Sequence, residues 1–205
     1  MTIPLVLKIA SAAKVGGVKQ FILLSSMSVY GKLTGNITKK TKEAPTNAYG
    51  YSKAQADRAV AKISNKNFKF ACLRPPMVYG KGCKGNYQSL RKFALKSPVF
   101  PAYENQRSMI YIGNLCEFVK RVIDEERSGL FFPQNADYVS TSDMVKEIAI
   151  DNKKNIRFTK VFNVVLSLMQ FPIIKKVFGS LTYEPVDRID KYKFIESISL
   201  TERGK

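Results

Sequence analysis

The order of apolar and polar positions predicts alternating helices and strands along the first third of the chain. Residues 4–17 place apolar side chains at helical spacing, with a proline in the first turn and two glycines at the end. Residues 18–25 form a predicted buried strand, residues 47–63 are rich in helix formers, and residues 68–73 form a second predicted strand. This order indicates an α/β fold with a parallel sheet, whose active-site loops follow the carboxyl ends of the strands.

Beyond residue 84 the pattern becomes more helical. It predicts a helix over 86–95, a short strand over 98–101, a strand from 106 that continues into a helix ending at Asp124, a strand over 129–133, and a helix with its N-cap at Ser142. Residues 161–174 are the most apolar stretch of the chain, and lysines flank them. We expect this stretch to pack on the second part of the molecule, and insertion into a membrane surface is the alternative.

Two side chains at the start of the helix over 47–63 suggest acid–base chemistry. Tyr49 and Lys53 stand one helical turn apart, behind an N-cap that Thr46 or Asn47 can provide. A phenol titrates near pH 10, and both the lysine ammonium and the positive end of the helix dipole favour its anion. A tyrosine with a lowered pKa is a general base or acid. The pair alone is weak support, because an exposed tyrosine beside a solvated lysine has the same spacing.

The composition excludes several kinds of chemistry. The chain has no histidine, which removes Ser-His-Asp and Cys-His catalysis and histidine-ligated metals. Cys72, Cys83 and Cys116 lack a Cys-x-x-Cys spacing, so we expect neither a disulfide framework nor a metal site.

The charge and the hydropathy pattern limit the partners and the compartment. A net charge of +18 over 205 residues suits nucleic acid, an acidic membrane surface or a phosphorylated small molecule. The lysines are scattered, however, and we expect a solvated surface without nucleic acid. No apolar run reaches the roughly 18 residues of a membrane span and no basic leader is present, so we expect a cytoplasmic protein.

Three segments together carry a resemblance to a known family. They are residues 25–31 (Ser-Ser-Met-Ser-Val-Tyr-Gly), residues 49–53 (Tyr-Gly-Tyr-Ser-Lys) and residues 74–80 (Arg-Pro-Pro-Met-Val-Tyr-Gly). In this order and with these gaps they resemble extended short-chain dehydrogenase/reductases, specifically the NAD-dependent sugar-nucleotide epimerase/dehydratase family. The similarity continues to about residue 200.

The resemblance implies a role for each residue that matches the family's motifs. Tyr49 would be the general base, Lys53 would lower its pKa and hold the nicotinamide ribose, and Ser26 would hydrogen-bond the sugar oxygen. The implied cofactor contacts are Ser25, Tyr49, Lys53, Pro75, Pro76, Met77 and Val78, with the last four in a loop over the nicotinamide. The implied substrate contacts are Ser26, Tyr79 and Arg107. Arg107 would contact the substrate's diphosphate, and a surface arginine is the alternative.

The resemblance also implies an organisation of the chain. Residues 1–82 would be the later strands of a partial Rossmann-type parallel sheet, and residues 83–205 mainly a helical substrate-binding lobe. The family's Gly-rich pyrophosphate turn is not found, since the glycines of residues 80–85 follow the Val-Tyr-Gly loop. We therefore expect a truncated chain that lacks the pyrophosphate-binding part of its NAD(P) site, and whose partner is a separate N-terminal chain or a second copy.

One departure from the family bears on the reaction. Dehydratases of the family place an Asp-Glu pair where this chain has Met27 and Ser28. We therefore expect epimerisation or reduction of a nucleotide sugar. Two alternatives stay open: a catalytically silent fragment that acts as a binding or regulatory module, and a basic protein that binds nucleic acid or a membrane surface.

Overall fold

The computed structural model describes residues 3–161, 163 and 171–204. Its helices are α1 (Ile3–Val15), α2 (Ala48–Ile63), α3 (Asn86–Lys96), α4 (Ile112–Asp124), α5 (Thr141–Asp151), α6 (Pro172–Phe178) and α7 (Phe194–Arg203). Its strands are β1 (Gln20–Leu24), β2 (Gly35–Ile37), β3 (Lys69–Leu73), β4 (Met77–Tyr79), β5 (Val99–Pro101), β6 (Met109–Tyr111), β7 (Gly129–Phe131), β8 (Gln134–Asn135), β9 (Arg157–Thr159), β10 (Leu181–Tyr183) and β11 (Arg188–Ile189). A 3-10 helix spans Met27–Tyr30.

The central sheet has the strand order β1–β3–β7, and both pairings are parallel. Strand β3 lies in the middle and is apolar and buried from Phe70 to Leu73, as a strand covered on both faces must be. Phe21 and Leu23 of β1 share a core with α1 and α2, whereas Ile22 shares one with α4. Since side chains alternate along a strand, the helices cover opposite faces of the sheet. The predicted α/β fold with a parallel sheet is confirmed.

Outside the central sheet, the other strands of the described residues form four parallel pairs: β4–β6, β5–β9, β2–β10 and β8–β11. The largest apolar core joins β4, α3, β5, β6, α5 and α7. Strand β7 lies beyond residue 82 and still joins the central sheet, so the later part of the chain contributes to both regions. The division into residues 1–82 and 83–205 stays a prediction.

Two local expectations were wrong. Met77 and Val78, expected in a loop, belong to β4, because this segment pairs residue by residue with β6. The N-cap of α5 is Ser140, whose hydroxyl accepts from the amide of Asp143 at 2.9 Å, and not Ser142. The hydroxyl of Ser142 donates instead to the carbonyl of Pro101 at 2.9 Å.

The predicted packing of the apolar stretch over 161–174 falls for its larger part outside the described residues. None of the helices in the described part of the chain is long and apolar enough to span a bilayer.

Candidate active site

Tyr49 lies in the first turn of α2, beside the carboxyl end of β1. The side chain of Asn47 accepts from the amide of Gly50 at 2.9 Å and so caps the helix. The Lys53 Nζ lies 5.8 Å from the centroid of the Tyr49 ring and donates to the carbonyl of Leu24 at 2.8 Å. The lysine therefore joins the helix to the end of the strand and holds a positive charge near the phenol.

Gly50 explains how the helix start can approach the turn that carries Ser26. A Cβ at this position would lie 2.5 Å from the carbonyl oxygen of Ser28, so no other residue fits without a shift of backbone. Ser26 caps the 3-10 helix, since its Oγ accepts from the amide of Ser28 at 3.1 Å. Ser26, Tyr49 and Lys53 therefore surround one end of β1, as the motif order predicts, and their catalytic roles stay predictions.

A buried polar network beneath this end of the sheet escaped the sequence reasoning. Arg74 Nε lies 3.0 Å from Asp57 Oδ2, and the Ser25 hydroxyl donates to the same oxygen at 2.7 Å. Arg74 also bonds Glu43 and donates to the phenol of Tyr30 at 2.8 Å. The only sign of this network in the sequence is that Asp57 lies one helical turn after Lys53 in α2. Because the Ser25 hydroxyl is buried and bonded here, its predicted cofactor contact finds no support in the side-chain geometry and remains untested.

Cys72 lies beside this network on β3. Burial, with a smaller contribution from the Asp57 carboxylate, raises the pKa of the Cys72 thiol well above its ordinary value. The thiol is therefore protonated at neutral pH and is not an activated nucleophile.

Arg107 lies in a separate cavity of about 600 Å³ with mostly apolar walls. Its Nη1 donates to the carbonyl of Gly179 at 2.7 Å, and none of the ion pairs among the described residues includes Arg107. Burial lowers the pKa of Arg107 from its ordinary value, as expected for a cation in apolar surroundings. The apolar lining includes Met77, Leu90, Phe93, Phe100, Met109 and Phe178. A partly desolvated positive charge without an acidic neighbour suits an anionic ligand.

The first turn of α3 opens into the same cavity. Asn86, its first residue, lines the cavity, and the N-cap residue Gly85 makes no side-chain capping bond. Gly82 and Gly85 have φ values of 77° and 114°, which explains why glycines precede this helix. The sequence reasoning noted these glycines and did not connect them with Arg107. The positive end of α3 adds to the attraction for an anion.

The other residues predicted to contact cofactor or substrate differ in exposure. Tyr79 is fully buried, and its phenol bonds Ser197 Oγ at 2.7 Å and accepts from Asn135 at 3.1 Å. It lies in the core rather than in the wall of the Arg107 cavity, so its predicted substrate contact lacks an exposed surface and remains untested. Pro75 and Pro76 are buried, whereas Met77 and Val78 are half-buried. These four cofactor contacts also remain predictions.

The comparison with known families decides the classification. The sequence model of the NAD dependent epimerase/dehydratase family matches residues 2–131. The chain belongs to this family. The resemblance found in the three sequence motifs is thereby confirmed, and with it the similarity to an enzyme family.

Two curated members of the family are similar in sequence. A UDP-glucose 4-epimerase of Vibrio cholerae is 31% identical over 190 residues, which cover 88% of this chain and 56% of that protein. An N-acetyl-alpha-D-glucosaminyl-diphospho-ditrans,octacis-undecaprenol 4-epimerase of Escherichia coli O157:H7 is 32% identical over 126 residues, which cover 59% of this chain and 38% of that protein. The chain spans about half or less of the length of these relatives.

Solved structures of the family share the fold at low sequence identity. A UDP-glucuronic acid 4-epimerase from Bacillus cereus, in complex with NAD, matches with a TM-score of 0.73 and 15% identity, over 97% of this chain and 65% of that one. A UDP-N-acetylglucosamine 4-epimerase from the same organism matches with a TM-score of 0.71 and 19% identity, over 98% and 71%. At this level of identity the likeness establishes the Rossmann-type fold and nothing finer.

Proposed function

We propose that this chain carries the proton-transfer and substrate-binding residues of an NAD(P)-dependent enzyme that epimerises or reduces a nucleotide sugar. One observation carries the proposal: the pair of Tyr49 and Lys53 lies at the carboxyl end of a parallel strand. The same chain places Arg107 in an apolar cavity, where it bonds the backbone carbonyl of Gly179. The name of the Vibrio cholerae relative, a UDP-glucose 4-epimerase, supports a nucleotide sugar as the substrate. The name of the Escherichia coli relative supports 4-epimerisation of a sugar that is carried on a diphosphate.

Tyr49 is the proposed base that removes the proton of a sugar hydroxyl. Tyr49 is 57% exposed, so a substrate can reach its side chain. The Lys53 ammonium lies 5.8 Å from the ring centroid and is fixed by its bond to the carbonyl of Leu24. Ser26 follows the same strand and can donate a hydrogen bond to the sugar oxygen.

The described residues fit the nicotinamide half of a dinucleotide. Lys53 offers an oriented ammonium for a ribose hydroxyl. The proposed apolar contacts are the buried Pro75 and Pro76 and the half-buried Met77 and Val78, of which Met77 also lines the Arg107 cavity. A bound nicotinamide would supply the acceptor and donor of hydride. For the pyrophosphate half, the sequence provides no Gly-rich turn between a strand and helix of the required kind.

Arg107 is the proposed contact for the diphosphate of the substrate. A forked guanidinium matches phosphate oxygens, and its burial without a carboxylate partner makes an anion the natural counter-charge. The first turn of α3, at Asn86, adds the positive end of a helix. Apolar walls that include Phe93 and Phe100 suit a nucleobase.

The two residues that follow Ser26 indicate the reaction type. Met27 and Ser28 replace the acidic pair that dehydratases of the family carry, and both belong to the short 3-10 helix. Neither side chain is an acid that could assist loss of water. Epimerisation or reduction is therefore the proposed chemistry.

Binding of UDP by the 205-residue chain tests the proposal directly, since every residue of the proposed diphosphate site lies in it. UDP at about 100 times its Kd should stabilise the fold by about 2.7 kcal/mol, which raises Tm by several degrees. Uridine, which lacks the diphosphate, should have a much smaller effect. An unchanged Tm at about 10 mM UDP would remove the Arg107 cavity from the proposal.

A further inference from the structure

Asn105 is a buried residue two positions before Arg107, and its side chain faces the end of α6. Its Oδ1 accepts from the amide of Thr141 at 2.8 Å, and its Nδ2 donates to Thr141 Oγ1 at 3.1 Å. An amide N–H can donate only to the oxygen of the Asn105 side chain, so Thr141 fixes which way that side chain faces. The Nδ2 donors therefore also reach the carbonyls of Val177 and Gly179, at 3.4 and 3.3 Å.

The end of α6 supplies the acceptor that Asn105 shares with Arg107. Val177 lies in the last turn of α6 and Gly179 is its C-cap, where a helix leaves its carbonyls without partners in the helix. Thr141 Oγ1 donates to the carbonyl of Val177 at 2.6 Å. The carbonyl of Gly179 takes its second bond from Arg107 Nη1 at 2.7 Å. Asn105 and Arg107 thus bond the same oxygen from two sides.

The rest of Gly179 is held by its own helix and by close packing. Its amide donates to the carbonyl of Lys175 at 2.9 Å. A Cβ at Gly179 would lie 2.4 Å from that carbonyl oxygen and 2.6 Å from Cγ2 of Thr34. The amide side of Gly179 is therefore fixed by the helix, whereas its carbonyl is fixed by the side chains of Asn105 and Arg107.

The backbone of Arg107 is held independently of the Asn105 side chain. Arg107 and Val139 exchange both of their backbone hydrogen bonds, each at 3.1 Å. The next amide, of Ser108, donates to the carbonyl of Leu181 at 3.1 Å. Within the described residues, the bond to Gly179 is the one hydrogen bond that the guanidinium makes. The orientation of the guanidinium therefore depends on the Gly179 carbonyl.

We infer that Asn105 is a positioning residue for Arg107: it orients the carbonyl of Gly179, and this carbonyl holds the guanidinium with its other N–H donors free for a ligand. This role deepens the proposed function and rests on it, because it takes the Arg107 cavity as the diphosphate site. Among the described residues that line this cavity, Arg107 is present and Asn105 is not. Asn105 therefore acts on a ligand through Arg107 and not by contact.

A double-mutant cycle on the 205-residue chain separates this role from simple support of α6. In calorimetry with UDP, Asn105→Ala should weaken binding by about three- to tenfold, the size of one hydrogen bond. In an Arg107→Ala background the same substitution should change the affinity for UDP by less than about twofold. Equal losses in both backgrounds would show that Asn105 only supports the fold and would overturn the inference.

Asn114→Ala is the matched control. Asn114 is also a buried asparagine, and its amide donates to a backbone carbonyl, that of Tyr192, at 3.0 Å. The substitution should leave the affinity for UDP unchanged even where it lowers Tm. A loss of UDP affinity equal to that of Asn105→Ala would equally overturn the inference.

Chemical labelling of Arg107 tests the same role without a ligand. Phenylglyoxal modifies guanidinium groups, and peptide mass spectrometry follows each arginine separately, with exposed Arg121 as the reference. Asn105→Ala should speed the labelling of Arg107 relative to Arg121 by about threefold or more, because the guanidinium loses its fixed acceptor, and Asn114→Ala should not. Unchanged labelling of Arg107 would overturn the inference whether or not UDP binds. Faster labelling supports it even in a chain that fails to bind UDP, a result that would contradict the proposed function alone.

Discussion

The guanidinium of Arg74 and the carboxylate of Asp57 form a buried ion pair, with the Arg74 Nη2 2.9 Å from Asp57 Oδ2. Asp57 belongs to α2 and Arg74 directly follows β3, so the pair ties the helix that carries Tyr49 to the central strand. Ser25, at the end of β1, donates to the same oxygen. The position of the proposed base is therefore set partly by a contact two helical turns away from it.

Asp57→Asn should lower the free energy of unfolding by about 1–3 kcal/mol, because it removes one of the two carboxylates that pair with the buried Arg74 and the acceptor of the Ser25 hydroxyl. Urea denaturation measures the change. Asp124→Asn is the control, since it removes an exposed pair with Lys120 at i,i+4 and should change stability by about 1 kcal/mol or less. Equal effects of the two variants would show that the buried pair does not stabilise the helix on the sheet.

Tyr49→Phe, made in a form of the protein that turns over a nucleotide sugar, should lower the rate by about 10²–10⁴ while cofactor binding is nearly unchanged. The lost proton transfer is the reason. Tyr51→Phe serves as the control, because Tyr51 is 53% exposed in the same helix and has no proposed role. A nicotinamide absorbance assay in which Tyr49→Phe keeps more than about half of the activity would contradict the assignment.

Arg107→Ala should weaken the binding of a nucleotide sugar by about 1.5–3 kcal/mol, roughly 10- to 150-fold, because a charge-assisted contact to the diphosphate is lost. Calorimetry with UDP-glucose measures the difference. Arg121→Ala, at an exposed arginine of α4, should leave binding unchanged. If Arg107→Ala, made in a form of the protein that binds NAD, weakened the binding of NAD and of the sugar nucleotide equally, Arg107 would have a structural role.

Alkaline pH should destabilise the protein through its buried phenols, of which Tyr79 is one. Burial raises the pKa of Tyr79 from 10.0 to about 12. Between these two values the unfolded chain loses the proton and the folded chain keeps it, so stability falls as pH rises. The contribution of Tyr79 to stability is fully present below pH 10, and about 2–3 kcal/mol of stability is lost by pH 12. Tyr79→Phe should flatten urea stability curves over this window relative to Tyr51→Phe, and an unchanged slope would contradict the burial of Tyr79.

The sequence predicted the backbone at the site well, because local signals decide it. Asn47 is a strong helix cap, and the alternation of strands and helices around Tyr49 leaves few parallel topologies. The buried network around Arg74 could not be predicted in the same way. It joins Arg74 to Glu43 and Asp57, which lie 31 and 17 positions before it in the sequence. A single sequence gives no signal that such charges meet.

The cavity around Arg107 could not be predicted from the sequence for the same reason, because it depends on contacts between distant residues. Arg107 and the first turn of α3 both line one cavity because β4 pairs with β6, a long-range pairing that periodicity does not reveal. Tyr79 was assigned to the substrate by its place in a motif. Its fully buried phenol shows that neighbours in a motif can point to opposite sides of a strand, since side chains alternate there.

The isolated 205-residue chain should bind NAD poorly and turn over no nucleotide sugar, even though Tyr49, Lys53 and Ser26 are all present. In this architecture most of the cofactor's affinity comes from backbone amides and a helix N-terminus at the pyrophosphate and from an acidic residue at the adenine ribose. The sequence contains no Gly-rich turn in that context.

The remaining residues offer the cofactor much less. Lys53 can contact a ribose hydroxyl, and its ammonium is already bonded to Leu24. Calorimetry on purified monomer at millimolar NAD, with the Lys53→Ala variant beside it, measures what this contact contributes. We expect no saturation for either protein. Micromolar affinity in both would mean that the chain holds a phosphate site elsewhere. Residues 80–85 would be the first place to test, because their glycines precede α3 and its N-cap Gly85 makes no side-chain capping bond.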